Sequence, residues 1–69
     1  MERQSVESSQ IRSIGYDGGL LEVEFHQGKV YQYQGVPQDV YDKLMGSPSI
    51  GKAFAVLIKS GGYKYEKMP

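Results

Sequence analysis

Residues 20–37 contain two runs of alternating side chains that predict a β-hairpin, and this hairpin constrains the fold more than any other part of the chain. Apolar and acidic residues alternate over residues 21–25, and tyrosine alternates with glutamine over residues 31–34. A period of two is typical of strands that bury one face. The turn between the runs contains Gly28, which can adopt a positive φ. We therefore expect the chain to fold around an antiparallel strand pair.

The length of this turn decides which face of the hairpin carries the tyrosines. A two-residue loop would place both tyrosines on the face of the glutamates. A three-residue loop over residues 26–28 pairs Tyr31 with Val23 and Tyr33 with Leu21, so that the apolar side chains share one face. Because a slip of one residue exchanges the two faces, only the second register gives the hairpin an apolar side. We predict the three-residue loop, with its glycine as a bulge and both tyrosines on the core face.

The segments around the hairpin predict further strands. A first strand should end at the turn of residues 17–19, with Ile14 opposite Leu21. Ile11 then falls on the solvent face unless the strand contains a bulge, and the sequence leaves this open. Residues 63–65 could add a final short strand or lie against the sheet edge.

Two short helices are predicted after the hairpin. The first should run from Pro37 to about residue 45, where Gly46 ends it. The second should reach about residue 59, and its buried side consists of Ile50, Phe54, Leu57 and Ile58. The predicted fold class is α+β: an antiparallel three-stranded meander, with a possible short fourth strand, and two short helices packed on one face.

Length and composition indicate one small domain. The chain has 69 residues, close to the size at which core burial only just offsets chain entropy. Residues 1–9 are polar without periodicity and predict a flexible N-terminal arm, which leaves residues 10–66 as the domain. The absence of cysteine excludes a disulfide scaffold. Since there is neither a membrane-spanning apolar run nor a signal-peptide pattern, we expect a soluble, cytoplasmic protein without a membrane partner.

Residue types that perform catalysis are sparse. His26 is the only histidine, and with no cysteine beside it the sequence predicts no metal site. None of the serines lies in a Gly-x-Ser-x-Gly elbow. Residues 46–52 superficially resemble a phosphate loop, but the spacing of the glycines is wrong and Pro48 interrupts it. We therefore predict a non-enzymatic protein with no catalytic residues, no metal and no cofactor.

Charge is divided unevenly along the chain. Residues 1–42 carry three basic and seven acidic side chains, a net charge of −4, whereas residues 43–69 carry five lysines and one glutamate, a net charge of +4. Aromatic rings interleaved with basic groups are typical of single-strand nucleic-acid platforms. The register of the hairpin favours core packing over base stacking for the two tyrosines of the second strand. The interleaved residues are Tyr31, Tyr33, Tyr63 and Tyr65 with Lys29, Lys52, Lys59 and Lys64. The predicted nucleic-acid-binding residues are Lys52, Lys59, Tyr63, Lys64 and Lys67.

Several short motifs resemble the KTSC domain, a family named for the C-terminus of certain lysyl-tRNA synthetases and also found as free-standing bacterial and phage proteins. The resemblance extends over about residues 6–65, and the Tyr-x-Tyr centre is its most characteristic mark. The family has no established activity, and RNA binding has been suggested for it. The motifs that carry the resemblance are Ile14-Gly15-Tyr16-Asp17, Leu21-Glu22-Val23-Glu24-Phe25, Tyr31-x-Tyr33-x-Gly35-Val36-Pro37, Val40-Tyr41-x-x-Leu44, Ser47-x-Ser49-x-Gly51 and Phe54.

These observations predict a small binding module, with RNA or another anionic partner as the first candidate. Glu22 and Glu24 would repel phosphate from the outer sheet face, so the second helix and the tail form the predicted footprint. The alternative is a protein-interaction module that docks through a sheet edge or a helix face.

Overall fold

The computed structural model describes residues 2–69, which form one five-stranded antiparallel sheet and two α-helices. The strands follow one another across the sheet in chain order. Both α-helices have eight residues, and none of the helices described reaches the length and apolarity that crossing a bilayer requires. The elements are β1 (Arg3–Ser5), β2 (Ile11–Asp17), β3 (Leu20–Phe25), β4 (Val30–Tyr33), α1 (Gln38–Met45), α2 (Ile50–Leu57) and β5 (Tyr65–Lys67).

The central hairpin of β3 and β4 has the predicted register. Val23 lies opposite Tyr31, and Leu21 lies opposite Tyr33. Gly28 in the connecting turn has a φ of 89°, a conformation that glycine adopts readily because it lacks a Cβ atom. The predicted three-residue loop and the placement of both tyrosines on the core face are therefore confirmed.

The pairing of β2 with β3 differs from the prediction by two residues. Ile14 lies opposite Val23 rather than Leu21, which instead pairs with Tyr16. The reason is the turn, in which two glycines with positive φ form a tight two-residue connection. Because the shift is an even number of residues, Ile14 keeps its place on the core face. The register shifts between Ile11 and Ser13, and this irregularity brings Ile11 to the buried side.

Part of the N-terminal segment lies in the sheet, since residues 3–5 of the predicted flexible arm over residues 1–9 form β1. β1 pairs with β2, and Arg3 lies opposite Gly15. The Val6 amide extends the contact by donating to the Arg12 carbonyl at 3.1 Å. All three residues of β1 are exposed, so the strand shows no apolar alternation in the sequence, and its backbone pairing with β2 holds it in place. Met1 lies outside the described residues.

The fold class is α+β as predicted, but the sheet has five strands rather than three with a possible fourth. The predicted final strand exists as β5, shifted by two residues along the chain. The second helix ends at Leu57, earlier than predicted, and a tighter 3-10 turn over Lys59–Gly61 follows it.

A single apolar core lies between the sheet and the two helices. Its largest member is Phe54 of α2, which is 2% exposed. Both helices contribute one fully buried residue, and the hairpin and β2 supply most of the others. The two short helices therefore pack on one face of the sheet, as predicted. The buried apolar residues are Ile11, Ile14, Leu21, Val23, Tyr33, Val36, Leu44, Phe54 and Ile58.

Candidate functional site

A groove of about 500 Å³ opens beside β4 and β5, next to the end of α2, and we call it the tyrosine groove. Four of its nine lining residues are tyrosines, and none carries a carboxylate. The volume lies within the range of roughly 300–1,000 Å³ that is typical of small-ligand sites. The groove is lined by Phe25, Gln27, Lys29, Tyr31, Tyr33, Ile58, Lys59, Tyr63 and Tyr65.

The tyrosine rings pass from buried to exposed across the groove. Tyr33 is 5% exposed, and its ring meets the edge of Phe54 at a centroid distance of 5.7 Å. Tyr65 is 62% exposed, and its ring lies 5.4 Å from that of Tyr33 and 5.9 Å from that of Tyr31. Core packing thus fixes the ring of Tyr33, whereas the ring of Tyr65 stays accessible to a ligand.

Two glycines place Tyr63 in the groove wall. Gly62 has a φ of 74°, which turns the chain back toward the sheet after the 3-10 turn. Gly61 leaves room for the Tyr63 ring, because a Cβ atom at this position would lie only 2.5 Å from the ring carbon Cε2. The position of Tyr63 therefore depends on the missing side chain of its neighbour.

The groove face of the sheet is electropositive. Lys29, beside the hairpin turn, and Lys59, after α2, both line the groove. Lys67 lies opposite Tyr31 in the pairing of β4 and β5, which places it on the same face of the sheet. An anionic ligand would meet lysines here and no carboxylate in the groove lining.

The outer face of the sheet has the opposite character, because Glu22 and Glu24 lie there in a polar network. The Arg3 guanidinium pairs with Glu22 at 2.6 Å, and the Gln32 amide donates to the same carboxylate at 2.8 Å. The Ser13 hydroxyl donates to Glu24 at 2.9 Å. These contacts occupy the carboxylates of Glu22 and Glu24, and we place the candidate site on the groove face.

The structure brings together only part of the predicted nucleic-acid-binding set. Lys59 and Tyr63 line the groove, and Lys67 lies on the groove face of β5. Lys64 precedes Tyr65 in an extended segment, where alternation places it toward the outer face. Lys52 lies instead in a separate concavity beside residues 7–10.

Seven of the nine lining residues are absent from the predicted set, and four of these seven are tyrosines or lysines. The sequence favours core packing over base stacking for Tyr31 and Tyr33, and in the structure both also line the groove. Tyr65 lies two residues after the predicted Tyr63 and is not a member of the predicted set. Lys29 follows the turn glycine, and its position beside an aromatic strand was the one sequence signal that could have identified it.

Burial raises the pKa of Tyr33 above its ordinary value near 10, and the neighbouring Tyr65 and Tyr31 add to the shift. A raised folded-state pKa means that the folded protein holds this proton more tightly than the unfolded chain does. The stability contribution is therefore complete below the unfolded pKa and is lost as pH rises through the folded pKa.

We accordingly expect the domain to lose stability in alkaline solution, and Tyr33→Phe to lose less than wild type as pH rises above about 10. Urea unfolding at a series of pH values measures this difference. Tyr41→Phe, which removes a phenol outside the groove, is the control. Parallel alkaline losses in wild type and Tyr33→Phe would show that Tyr33 does not cause the effect.

His26 has a structural contact rather than a place in a metal cluster. Its Nε2 atom donates to the Ser8 carbonyl at 2.8 Å, which ties the hairpin turn to the N-terminal segment. Among residues 2–69, no group of three or more histidines or acidic residues could hold a metal ion.

The fold and the groove define a small α+β domain, and comparisons with known proteins identify its family. The KTSC domain family model matches residues 7–65. The crystal structure of a KTSC domain protein from Yersinia pestis has a TM-score of 0.89 and 42% sequence identity, covering 99% of this chain and 97% of that one. The chain belongs to the KTSC domain family.

Two further relatives show the settings in which similar sequences occur. A protein of Stutzerimonas stutzeri is 40% identical over an alignment of 67 residues, and the match covers 94% of each chain. A lysine–tRNA ligase of Nostoc punctiforme is 38% identical over an alignment of 64 residues, and the match covers 90% of this chain but 11% of the ligase.

Proposed function

We propose that this protein is a non-enzymatic binding module whose tyrosine groove takes short single-stranded RNA. The observation that carries the proposal is the composition of the groove: four tyrosines and two lysines without a carboxylate. Aromatic rings offer stacking faces to any base, and lysines offer charge to the backbone phosphates. Both components of single-strand recognition therefore meet in one concave surface.

The exposed rings are the expected contacts for bases. Tyr65 has a largely open ring and Tyr63 is half-buried at the groove wall. Stacking of one base on an aromatic ring is worth about 1–3 kcal/mol. Tyr33 forms the closed floor and limits how deeply a base can enter.

The lysines predict weak, salt-sensitive binding. Lys29 and Lys59 lie at the groove, and Lys67 shares its face of the sheet. Each phosphate contact contributes a slope of about −0.7 to the log–log salt dependence for a single strand. Three contacts therefore give a slope of about −2 and an affinity on the order of micromolar or weaker at low salt.

The relatives favour RNA over other anionic polymers. A segment similar to this chain forms part of a lysine–tRNA ligase, a protein whose name specifies an RNA substrate. If the segment has a similar role in both settings, RNA is the expected partner of the groove.

The test is a titration of a fluorescent single-stranded RNA of about ten nucleotides at low salt, with two charge-matched double variants. Lys29→Glu/Lys59→Glu reverses the groove lysines. Lys43→Glu/Lys52→Glu makes the same change in net charge at exposed positions that do not line the groove. We expect the groove variant to bind at least about tenfold more weakly than wild type and the control to stay within about threefold.

A third variant tests the contribution of the groove's shape to binding separately from that of its charge. Gly61→Ala displaces the Tyr63 ring without altering any charge, so it should weaken binding and leave the salt slope unchanged. No binding of wild type at tens of micromolar, or equal binding by the two double variants, would contradict the proposal. A protein-interaction module that docks through a sheet edge or helix face would then be the leading candidate.

A further inference from the structure

β5 presents an open edge with unpaired backbone groups. The Lys64 carbonyl accepts from the Gln34 amide at 2.8 Å, and the Met68 amide donates to the Val30 carbonyl at 2.7 Å. The backbone groups of residues 64, 66 and 68 therefore point toward β4. In an antiparallel ladder the residues between them point the other way, so the N–H and C=O groups of Tyr65 and Lys67 face the open edge.

The side chains along this edge make it suited to self-association. Open edges are templates for pairing with another strand, and proteins usually protect them. Here the edge carries Tyr65, which is 62% exposed and is one of two large apolar side chains exposed among the residues described. Lys64 and Glu66 flank it with opposite charges, and both are exposed.

We propose that β5 pairs antiparallel with β5 of a second copy of this chain, about a two-fold axis at Tyr65. In this register Tyr65 lies opposite Tyr65 of the second copy, and the outward backbone groups of the two residues form hydrogen bonds. Lys64 of each chain lies opposite Glu66 of the other. Aromatic pairs and opposite charges are the cross-strand neighbours that stabilise an antiparallel sheet.

Other symmetric registers are disfavoured by charge. An axis at Glu66 places that carboxylate directly opposite its own copy, and an axis at Lys67 does the same with two ammonium groups. Like charges in directly opposed positions destabilise strand pairing. A pairing shifted by a single residue would set Tyr65 opposite Glu66 of the second copy. Outward-facing backbone groups would then meet inward-facing ones, and no ladder would form. The axis at Tyr65 is therefore the register that the edge selects.

The short edge implies a weak dimer. Stable protein interfaces bury about 800 Å² on each partner, and a single short strand pair buries less. We expect a dissociation constant on the order of 10⁻⁴ M. Since Tyr65 also lines the tyrosine groove, the dimer places two grooves beside the two-fold axis. The dimer forms through the backbone edge of β5 and not through the groove, so it does not depend on RNA binding.

Sedimentation equilibrium at up to about 1 mM chain tests the dimer with reciprocal charge variants. Lys64→Glu places two like-charged pairs across the axis, and Glu66→Lys does the same with the opposite sign. Each variant alone should associate at least about tenfold more weakly than wild type. An equimolar mixture of the two should dimerise, because each acidic edge then meets a basic one. The double variant Lys64→Glu/Glu66→Lys restores both attractive pairs within one chain and should also dimerise.

The recovery of association in the mixture distinguishes this register from general effects of charge or folding. Both positions are exposed, so the melting temperatures of the variants should stay close to that of wild type. A monomeric wild type at about 1 mM would overturn the proposal. Single variants that associate as strongly as wild type, or a mixture that does not associate, would overturn it as well.

Discussion

Phe54→Ala is expected to unfold most of the population at 37 °C. The Phe54 ring is 2% exposed and meets the rings of Phe25 and Tyr33 edge-on, at centroid distances of 5.6 Å and 5.7 Å. Truncating a buried phenylalanine costs about 3–5 kcal/mol, because the transfer free energy is lost and a cavity remains. A domain of this length has a total stability of about 3–10 kcal/mol, so one substitution removes much or all of it.

Circular dichroism during thermal and urea unfolding measures this loss. Val56→Ala is the matched control, since Val56 lies two residues away on the same helix and is 70% exposed. Its stability should stay within about 0.5 kcal/mol of wild type. A Phe54→Ala protein that loses less than about 1 kcal/mol would show that the core does not depend on this ring.

Gly28→Val is expected to destabilise the domain by about 1–3 kcal/mol, the second largest effect among these changes. Gly28 has a φ of 89°, a region that β-branched residues avoid. A Cβ atom at this position would meet no atom within 4 Å, so the cost comes from backbone strain and not from a steric clash with the fold.

Two further substitutions at the same site check the cause of this loss. Gly28→Asn should cost less than Gly28→Val, because asparagine tolerates positive φ better than other side chains do. Gly28→Ala should fall between them. Equal urea midpoints for all three variants and wild type would mean that the turn relaxes to another geometry in solution.

The register of the hairpin could be predicted because it depends on local alternation. Leu21 and Val23 alternate with glutamates, and one of the two possible registers places them with Tyr31 and Tyr33. The same alternation did not reveal β1, because an edge strand with both faces exposed has no apolar period to detect. Residues 3–5 pair with β2 because its edge is open in the folded sheet, and this is a feature of the tertiary structure.

The candidate site was partly accessible from the sequence. Lys59 and Tyr63 were identified from basic and aromatic composition, and both line the tyrosine groove. Lys52 was identified on the same grounds but lies in a different concavity. Composition alone could not tell Lys59 from Lys52. Lys59 follows Lys52 by seven positions, and the course of α2 and the turn after it determines which of the two lysines reaches the groove.

By itself the sequence determined the α+β class, the central hairpin with its left-handed glycine, and the apolar side of the second helix, because these depend on residue spacing over a few positions. The tertiary structure decided which distant segments meet. It paired β5 with β4, and it packed Tyr63 against Gly61 beside Lys29 from the hairpin turn. A groove between segments thirty residues apart arises from chain topology and core packing, which local patterns do not encode.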